Sequence, residues 1–260
     1  MTLLFIFIIG LAFGSFFNVL IDRLPNEKSI NGRSRCDYCQ KTLGPLDLIP
    51  VLSFLVLTGK CRYCHKKLSV QYPLIELLTG GLFLIIFMFF NQTHSLNYAN
   101  ITLLVSYLGL YSALLVIFFA DVKYHIIPDS MQFLFFVFSL LILYFSQSVR
   151  TWGNFVEHLV FAVAVMSPIL LIYLVTRGKG MGFGDVKLAF TIGFFLKFGG
   201  FIALYIAFTI GALVGIVLII KRKSKLKSKI AFGPFLVIGA IFFMLWSDKI
   251  LLFTKLIFGY

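Results

Sequence analysis

An all-helical, polytopic membrane protein of about eight spans is the fold class this sequence predicts, with a cysteine-bearing insert between the first two spans. Of its 260 residues 60% are hydrophobic and only 13% charged, against roughly 45–50% and 25% in soluble domains. The apolar residues fall into repeated stretches of about 20, the length that crosses a bilayer core. Hydrocarbon offers no partner to an unpaired backbone amide, so spanning segments are helices or closed barrels. The alternating pattern of a membrane barrel is absent. The net charge of +13 comes from basic residues gathered in a few inter-span loops. That is the positive-inside pattern, and it calls for a lipid bilayer and no nucleic acid.

The first span, residues 2–21, holds the small residues Gly10, Gly14 and Ser15, which let another helix approach, and Asn18, which needs an interhelical partner. The chain opens on Met-Thr-Leu-Leu-Phe without a basic stretch, so this segment is expected as a retained span rather than a cleaved signal. Residues 22–72 form the longest polar region, with nine Lys or Arg and all four cysteines. Inside it, residues 49–57 are apolar but too short to span, which leaves a re-entrant or a surface-lying segment. Pro73 opens the second span, to residue 90, with Glu76 in its first turn.

Residues 91–100 lack Lys and Arg and read as an outside loop. The third span, 101–120, delivers the chain to Asp121, and a short connection through Pro128 and Asp129 leads into the fourth, ending near residue 146. After an outside loop at 147–154, the fifth span covers 155–175 and runs into the basic, glycine-rich loop that ends in Gly182-Phe183-Gly184-Asp185. The sixth span, 186–196, is short; the seventh ends at 220, a basic segment occupies 221–229, and the eighth covers 230–246. Residues 248–260 are expected on the surface. This count puts residues 22–72, the Asp121 connection, the glycine loop and 221–229 in the cytoplasm, with 18 of the 23 Lys and Arg.

Asp121 and Asp185 therefore face one compartment from the mouths of membrane helices, where ionisable groups mark function by default. Two carboxylates held close cannot both ionise cheaply, so the pair offers a base and an acid together, as hydrolysis by water requires. Gly182 and Gly184, lacking Cβ, would let an extended backbone approach the acid. Plainer roles stand beside this one. Asp185 would serve as a cap of the sixth span, Asp129 as a first-turn acid favoured by the helix dipole, and Asp121 as a partner of Lys123.

Cys36-Asp37-Tyr38-Cys39 and Cys61-Arg62-Tyr63-Cys64 are two CxxC knuckles, which together supply the four thiolates of a tetrahedral Zn²⁺ site. Two disulfides are the alternative, disfavoured in a reducing cytoplasm. His65 is surplus to a four-thiolate set.

Ala120-Asp121 with Ile127-Pro128-Asp129, followed by Gly182-Phe183-Gly184-Asp185, resembles the type IV prepilin peptidases, membrane aspartic proteases of the GxGD type. The resemblance extends to Gly14-Ser15-Phe16-Phe17-Asn18-Val19, Arg23-Leu24-Pro25, the cysteine quartet and Tyr72-Pro73-Leu74-Ile75-Glu76, nearly the whole chain. Asp22 departs from the aliphatic or aromatic residue usual before Arg23. The resemblance implies Asp121 and Asp185 as catalytic acids, with Asp129, Gly182 and Gly184 in support. It implies cleavage of the basic leader from prepilins or pseudopilins at the cytoplasmic face of a bacterial cytoplasmic membrane. Many members then N-methylate the new N-terminal residue with S-adenosylmethionine. No glycine-rich dinucleotide fingerprint follows a strand, so a methyl-donor site is expected from the first cytoplasmic region and nearby helix ends, with Asn18, Arg23 and Glu76 as contributors. Interhelical bonding for Asn18, snorkelling for Arg23 and a dipole-favoured first-turn acid for Glu76 stay open as plainer roles.

The expected organisation is a first transmembrane helix at 1–21, a cytoplasmic cysteine region at 22–72 and a seven-helix catalytic domain at 73–260. Presenilin-like or preflagellin-peptidase-like GxGD proteases lack the cysteine region. A transporter would place its acids nearer mid-membrane and polar residues along several spans, whereas these spans are nearly pure Phe, Leu, Ile and Val.

Overall fold

The computed structural model describes residues 1–93, 97–220 and 231–258, and among them all regular structure is helical apart from two isolated β-bridges. The helices are α1 (Thr2–Arg23), α2 (Leu52–Val56), α3 (Gln71–Thr93), α4 (Tyr98–Tyr124), α5 (Asp129–Phe145), α6 (Trp152–Thr176), α7 (Phe183–Leu196), α8 (Gly199–Ile220) and α9 (Gly233–Phe258). Leaving out the five-residue α2, eight apolar helices stand where eight spans were expected. Five of them, α1, α3, α4, α6 and α8, are long and apolar enough to cross a membrane. The other three offer shorter apolar segments: Asp129–Phe145 in α5, Gly233–Ser247 in α9, and the 14 residues of α7, about 21 Å at 1.5 Å per residue, against a hydrocarbon core of about 30 Å. The basic segment 221–229 lies outside the described residues. Residues 248–258 are helical and continue α9 beyond a non-helical residue at Trp246.

The chain divides into two compact units, residues 1–112 and 113–260. In the first, α1 packs along α3 at backbone contact. A Cβ on Gly10 would lie 2.7 Å from the Gly80 Cα, and one on Gly14 would lie 2.6 Å from the Glu76 Cα. Two glycines one turn apart thus remove the side-chain layer between the helices, where dispersion and polar contacts substitute for a hydrophobic drive. Asn18 makes the expected interhelical bond: its Nδ2 donates to the Gly14 carbonyl (3.2 Å) and to the Tyr72 carbonyl on α3 (3.1 Å). The apolar stretch 49–57 is no re-entrant hairpin but a single helical turn, α2, preceded by a 3₁₀ turn at Pro45–Leu48.

In the second unit the short α7 is the hub, packing on α5, α6, α8 and α9. Its side chains are accordingly buried along most of its length, from Asp185 to Phe194. Glycine again sets the spacing. A Cβ on Gly193 would lie 2.8 Å from the Phe161 carbonyl of α6, and Gly239 of α9 lies against the Ala203 carbonyl of α8. On α6, the buried His158 donates Nδ1–H to the Phe194 carbonyl of α7 at 2.6 Å. Arg177 (φ 50°) and Gly178 (φ 73°) end α6 in the left-handed region, and the Gly178 amide returns to the Tyr173 carbonyl at 2.9 Å. That reversal starts the glycine loop leading to Asp185.

The glycine contacts make a direct prediction. Gly10→Ala drives a methyl into the α3 backbone and should destabilise the protein by about 1–3 kcal/mol. Gly81→Ala, whose Cβ meets nothing within 4 Å, should be neutral or stabilising by up to about 1 kcal/mol through helix propensity. Thermal unfolding of the two variants in detergent checks both signs.

Candidate active site and metal centre

Asp121 occupies the last turn of α4, which stops where His125 turns left-handed (φ 54°) with its amide on the Asp121 carbonyl at 2.9 Å. Pro128 then serves as N-cap of α5. Asp185 is the third residue of α7, after Gly182 at the N-cap. The two carboxylates lie within electrostatic reach of each other inside the second unit, and they are only 4% and 7% exposed. Each faces amides of a helix N-terminus, which favour negative charge. Asp121 meets the Gly233 amide at the start of α9, while Asp185 Oδ2 accepts the Gly182 N–H at 3.1 Å. Capping is therefore part of what Asp185 does. It does not use the whole group, because Asp185 Oδ1 and Asp121 Oδ2 are buried with no hydrogen-bond partner among the described residues. Buried polar oxygens without partners are rare and carry a desolvation penalty.

Gly184 faces the chain itself. A Cβ there would lie 3.2 Å from Ile127 Cβ, in the connection after Asp121, and 3.6 Å from Gln132 Nε2. Gly182 is walled by the Asp185 carboxylate, 3.3 Å from where its Cβ would be. Gly184 thus allows α7 to close on the Asp121 connection. Asp129 stands apart: it is exposed, in the first turn of α5, paired with Lys187 of α7 at 2.8 Å.

Two contributors escaped the sequence reading. Gln132, buried on α5, donates to the Gly184 carbonyl at 3.2 Å and leaves its Oε1 unpartnered. Gly233 has no room for a side chain, since a Cβ would lie 2.6 Å from Asp121 Oδ2. The single amide side chain in the apolar fourth span was the available signal for Gln132. No local pattern distinguishes Gly233 from the other glycines.

In the first unit all four cysteines are unbonded thiols, and their sulfurs lie within 4.8 Å of one another. A tetrahedral site with metal–sulfur bonds of about 2.3 Å has sulfur–sulfur edges of about 3.8 Å. Cys36 Sγ and Cys64 Sγ are 3.8 Å apart, so the four cysteines can hold a metal ion. Burial disfavours the Cys61 thiolate, but the Cys64 and Tyr63 amides outweigh it and bring that thiol down to about 7. At Cys64 the Lys66 amide favours the thiolate, yet burial and the three neighbouring sulfurs push it up to about 11. Four thiolates so close repel unless a cation lies between them.

The knuckles are an internal repeat. Arg35-Cys-Asp-Tyr-Cys-Gln-Lys-Thr-Leu43 matches Lys60-Cys-Arg-Tyr-Cys-His-Lys-Lys-Leu68, each closed by one antiparallel bridge and a left-handed residue, Gln40 or His65. Lys41 of the first stacks over Tyr63 of the second at 5.3 Å, and Lys66 of the second over Tyr38 of the first at 5.0 Å. His65 is thus a turn residue, matching Gln40.

Asn18, Arg23 and Glu76 line one cavity of about 520 Å³ in the first unit, together with Asp22, Asp37 and Tyr72. Arg23 holds the loop beside it, donating to the carbonyls of Ser29, Ile30, Asn31 and Arg33 at 3.0–3.4 Å. Glu76 is buried and accepts the Val51 amide at 2.7 Å and the Ser15 hydroxyl. Asn18 Oδ1 is buried without a partner among the described residues. Tyr72 Oη lies 3.3 Å from the Asp22 carboxylate and 3.1 Å from that of Asp37.

The fold and these two sites define a polytopic helical membrane protein with two buried aspartates in one unit and, in the other, four thiols that could hold a metal ion. The chain belongs to the type IV leader peptidase family. Residues 8–90 match the family model described as the bacterial peptidase A24 N-terminal domain, and residues 108–220 match that of the type IV leader peptidase family. It is 31% identical to the prepilin leader peptidase/N-methyltransferase of Bacillus subtilis (strain 168), over 95% of this chain and 96% of that one. Proteins of the same name from Stutzerimonas stutzeri and Aeromonas hydrophila are each 30% identical over 94% of this chain, covering 90% and 91% of their own lengths. No solved structure matches the chain.

The metal centre can be tested alone. The purified protein should bind Co²⁺ with the charge-transfer absorption of tetrahedral thiolate ligation, and Cys61→Ser should abolish that band. Binding should weaken as pH falls, because protons compete for the sulfurs.

Proposed function

We propose that this chain is a prepilin peptidase that cuts the basic leader from prepilins or pseudopilins with Asp121 and Asp185, then N-methylates the new N-terminus. The observation that carries the first activity is the pair of buried, unpartnered oxygens, Asp121 Oδ2 and Asp185 Oδ1, on carboxylates within electrostatic reach of each other. In such a pair one group keeps a proton while the other is ionised. The ionised carboxylate takes a proton from water, whose oxygen attacks the scissile carbonyl carbon. The protonated carboxyl donates to the carbonyl oxygen; collapse of the tetrahedral intermediate then expels the amine, which receives the proton taken from water, while a hydroxyl of the intermediate returns a proton to the other carboxylate. Gly233 and Gly182 fix the two acids from helix N-termini, Gln132 steadies the Gly184 carbonyl, and Asp129 supports from its pair with Lys187. The clustering of basic residues supports a cytoplasmic site in a bacterial cytoplasmic membrane, with residues 1–21 as the first span, 22–72 as the cytoplasmic insert and 73–260 as the catalytic domain.

Cys36, Cys39, Cys61 and Cys64 would hold Zn²⁺, which supplies a structural cross-link between the two knuckles. The cavity beside Asn18, Arg23 and Glu76 suits S-adenosylmethionine, which supplies an electrophilic methyl group. Its volume lies in the ligand-site range of about 300–1,000 Å³, and Asn18 Oδ1 is an acceptor awaiting a donor. Arg23 acts there by shaping the wall, since its guanidinium is committed to backbone carbonyls.

Asp121→Asn and Asp185→Asn should each lower cleavage of a leader-bearing prepilin in membranes by at least about 10²-fold; wild-type rates in either variant would refute the pair. Gly233→Ala, which crowds Asp121, should lower cleavage with the fold retained. Glu76→Gln and Asn18→Ala should spare cleavage but reduce transfer of labelled methyl from S-adenosylmethionine to a pre-cleaved substrate. Elemental analysis should find one zinc per chain.

A further inference from the structure

The first unit carries an apolar surface outside both sites. On α2, Leu52, Leu55 and Val56 are 59%, 63% and 77% exposed, at positions i, i+3 and i+4 and so on one face. Leu46 and Leu48, from the 3₁₀ turn before it, are exposed too. The other side of α2 is engaged: Ser53 and Phe54 line the cavity, and the Phe54 ring packs on Gly59. Exposed apolar residues grouped on neighbouring turns in this way mark a contact surface.

Its position is fixed. Val51, the residue before α2, has φ 61°, a conformation β-branched residues avoid. It is held there by the 2.7 Å bond from its amide to Glu76 Oε2, and Glu76 lies near the start of α3, within the candidate span Gln71–Gln92. The patch is thereby tied to the end of a membrane helix. Charge points the same way. Lys60 and Lys67, both exposed, oppose each other across an antiparallel bridge just after the patch. Like charges so placed repel, and an anionic group lying over both relieves that repulsion.

We propose that residues 46–57 form a membrane-surface wedge. Leu46, Leu52, Leu55 and Val56 enter the boundary between headgroups and acyl chains of an anionic leaflet, while Lys60 and Lys67 bind its headgroups. A short apolar face flanked by lysines is the pattern of interfacial anchoring. The wedge would fix the cysteine knuckles against the bilayer beside α1 and α3.

The test uses the full chain in vesicles of phosphatidylglycerol and phosphatidylcholine, with Leu55→Trp as the probe in a Trp152→Phe/Trp246→Phe background. Leu46→Trp is a second probe of the same face should the first fail to fold. The expected result is blue-shifted emission, quenched at least about twofold by acyl-brominated lipid and protected from aqueous iodide. Quenching by iodide and not by bromine would overturn the proposal, leaving the face in water. Protection from both would overturn it too, since a protein surface would then cover the patch. Lys60→Gln/Lys67→Gln should reduce the bromine quenching, and unchanged quenching would overturn the headgroup contact.

Discussion

Two carboxylates buried among hydrocarbon side chains are the most expensive feature of the second unit, and the helices around them are arranged to meet that cost. Burying a carboxylate without compensation shifts the group to its neutral form or destabilises the fold. Here each acid is set against a helix N-terminus, Asp121 at α9 and Asp185 in α7, where the free amides offset part of the penalty. One oxygen of each acid remains without a partner. Evolution tolerates such a deficit where the unsatisfied group has a task, and in the proposed reaction that task is to meet a water and a peptide carbonyl.

Placing the acids requires backbones closer than ordinary side chains permit. Gly184 lets the first turn of α7 close on Ile127, and Gly233 lets α9 start on Asp121. Farther along, Gly193 and Gly239 allow α6 and α8 to close on their neighbours. The helix that carries Asp185 is short, yet it is packed by four others, so its N-terminus is held by contacts along its whole length rather than by the loop before it. A carboxylate that must keep its position to within a fraction of an ångström gains from such a mount.

The first unit meets a different constraint, that of ordering a polar insert with almost no core. Duplication does part of this work: two copies of one nine-residue pattern face each other, each lysine covering the other copy's tyrosine, around four sulfurs spaced for one ion. Asp47 ties the pair to the 3₁₀ turn, accepting from Arg62 at 2.6 Å and from the Gly44 amide at 3.0 Å. Arg23 ties the loop before the knuckles to the end of α1.

The apolar helices, their order and the cysteine quartet were legible in the sequence, because hydropathy and CxxC spacing are local signals, and the glycine–aspartate motif singled out the acids proposed here as catalytic. The repeat containing the knuckles was legible too, though it emerges only when Arg35–Leu43 and Lys60–Leu68 are aligned. What the chain alone could not reveal was which glycine touches which acid and that Gln132 reaches Gly184. Those facts depend on how helices distant in sequence cross. In an apolar bundle every Phe- and Leu-rich face is nearly equivalent until packing chooses one. Local chemistry therefore determined the parts of this protein, and only tertiary contact decided what each part faces.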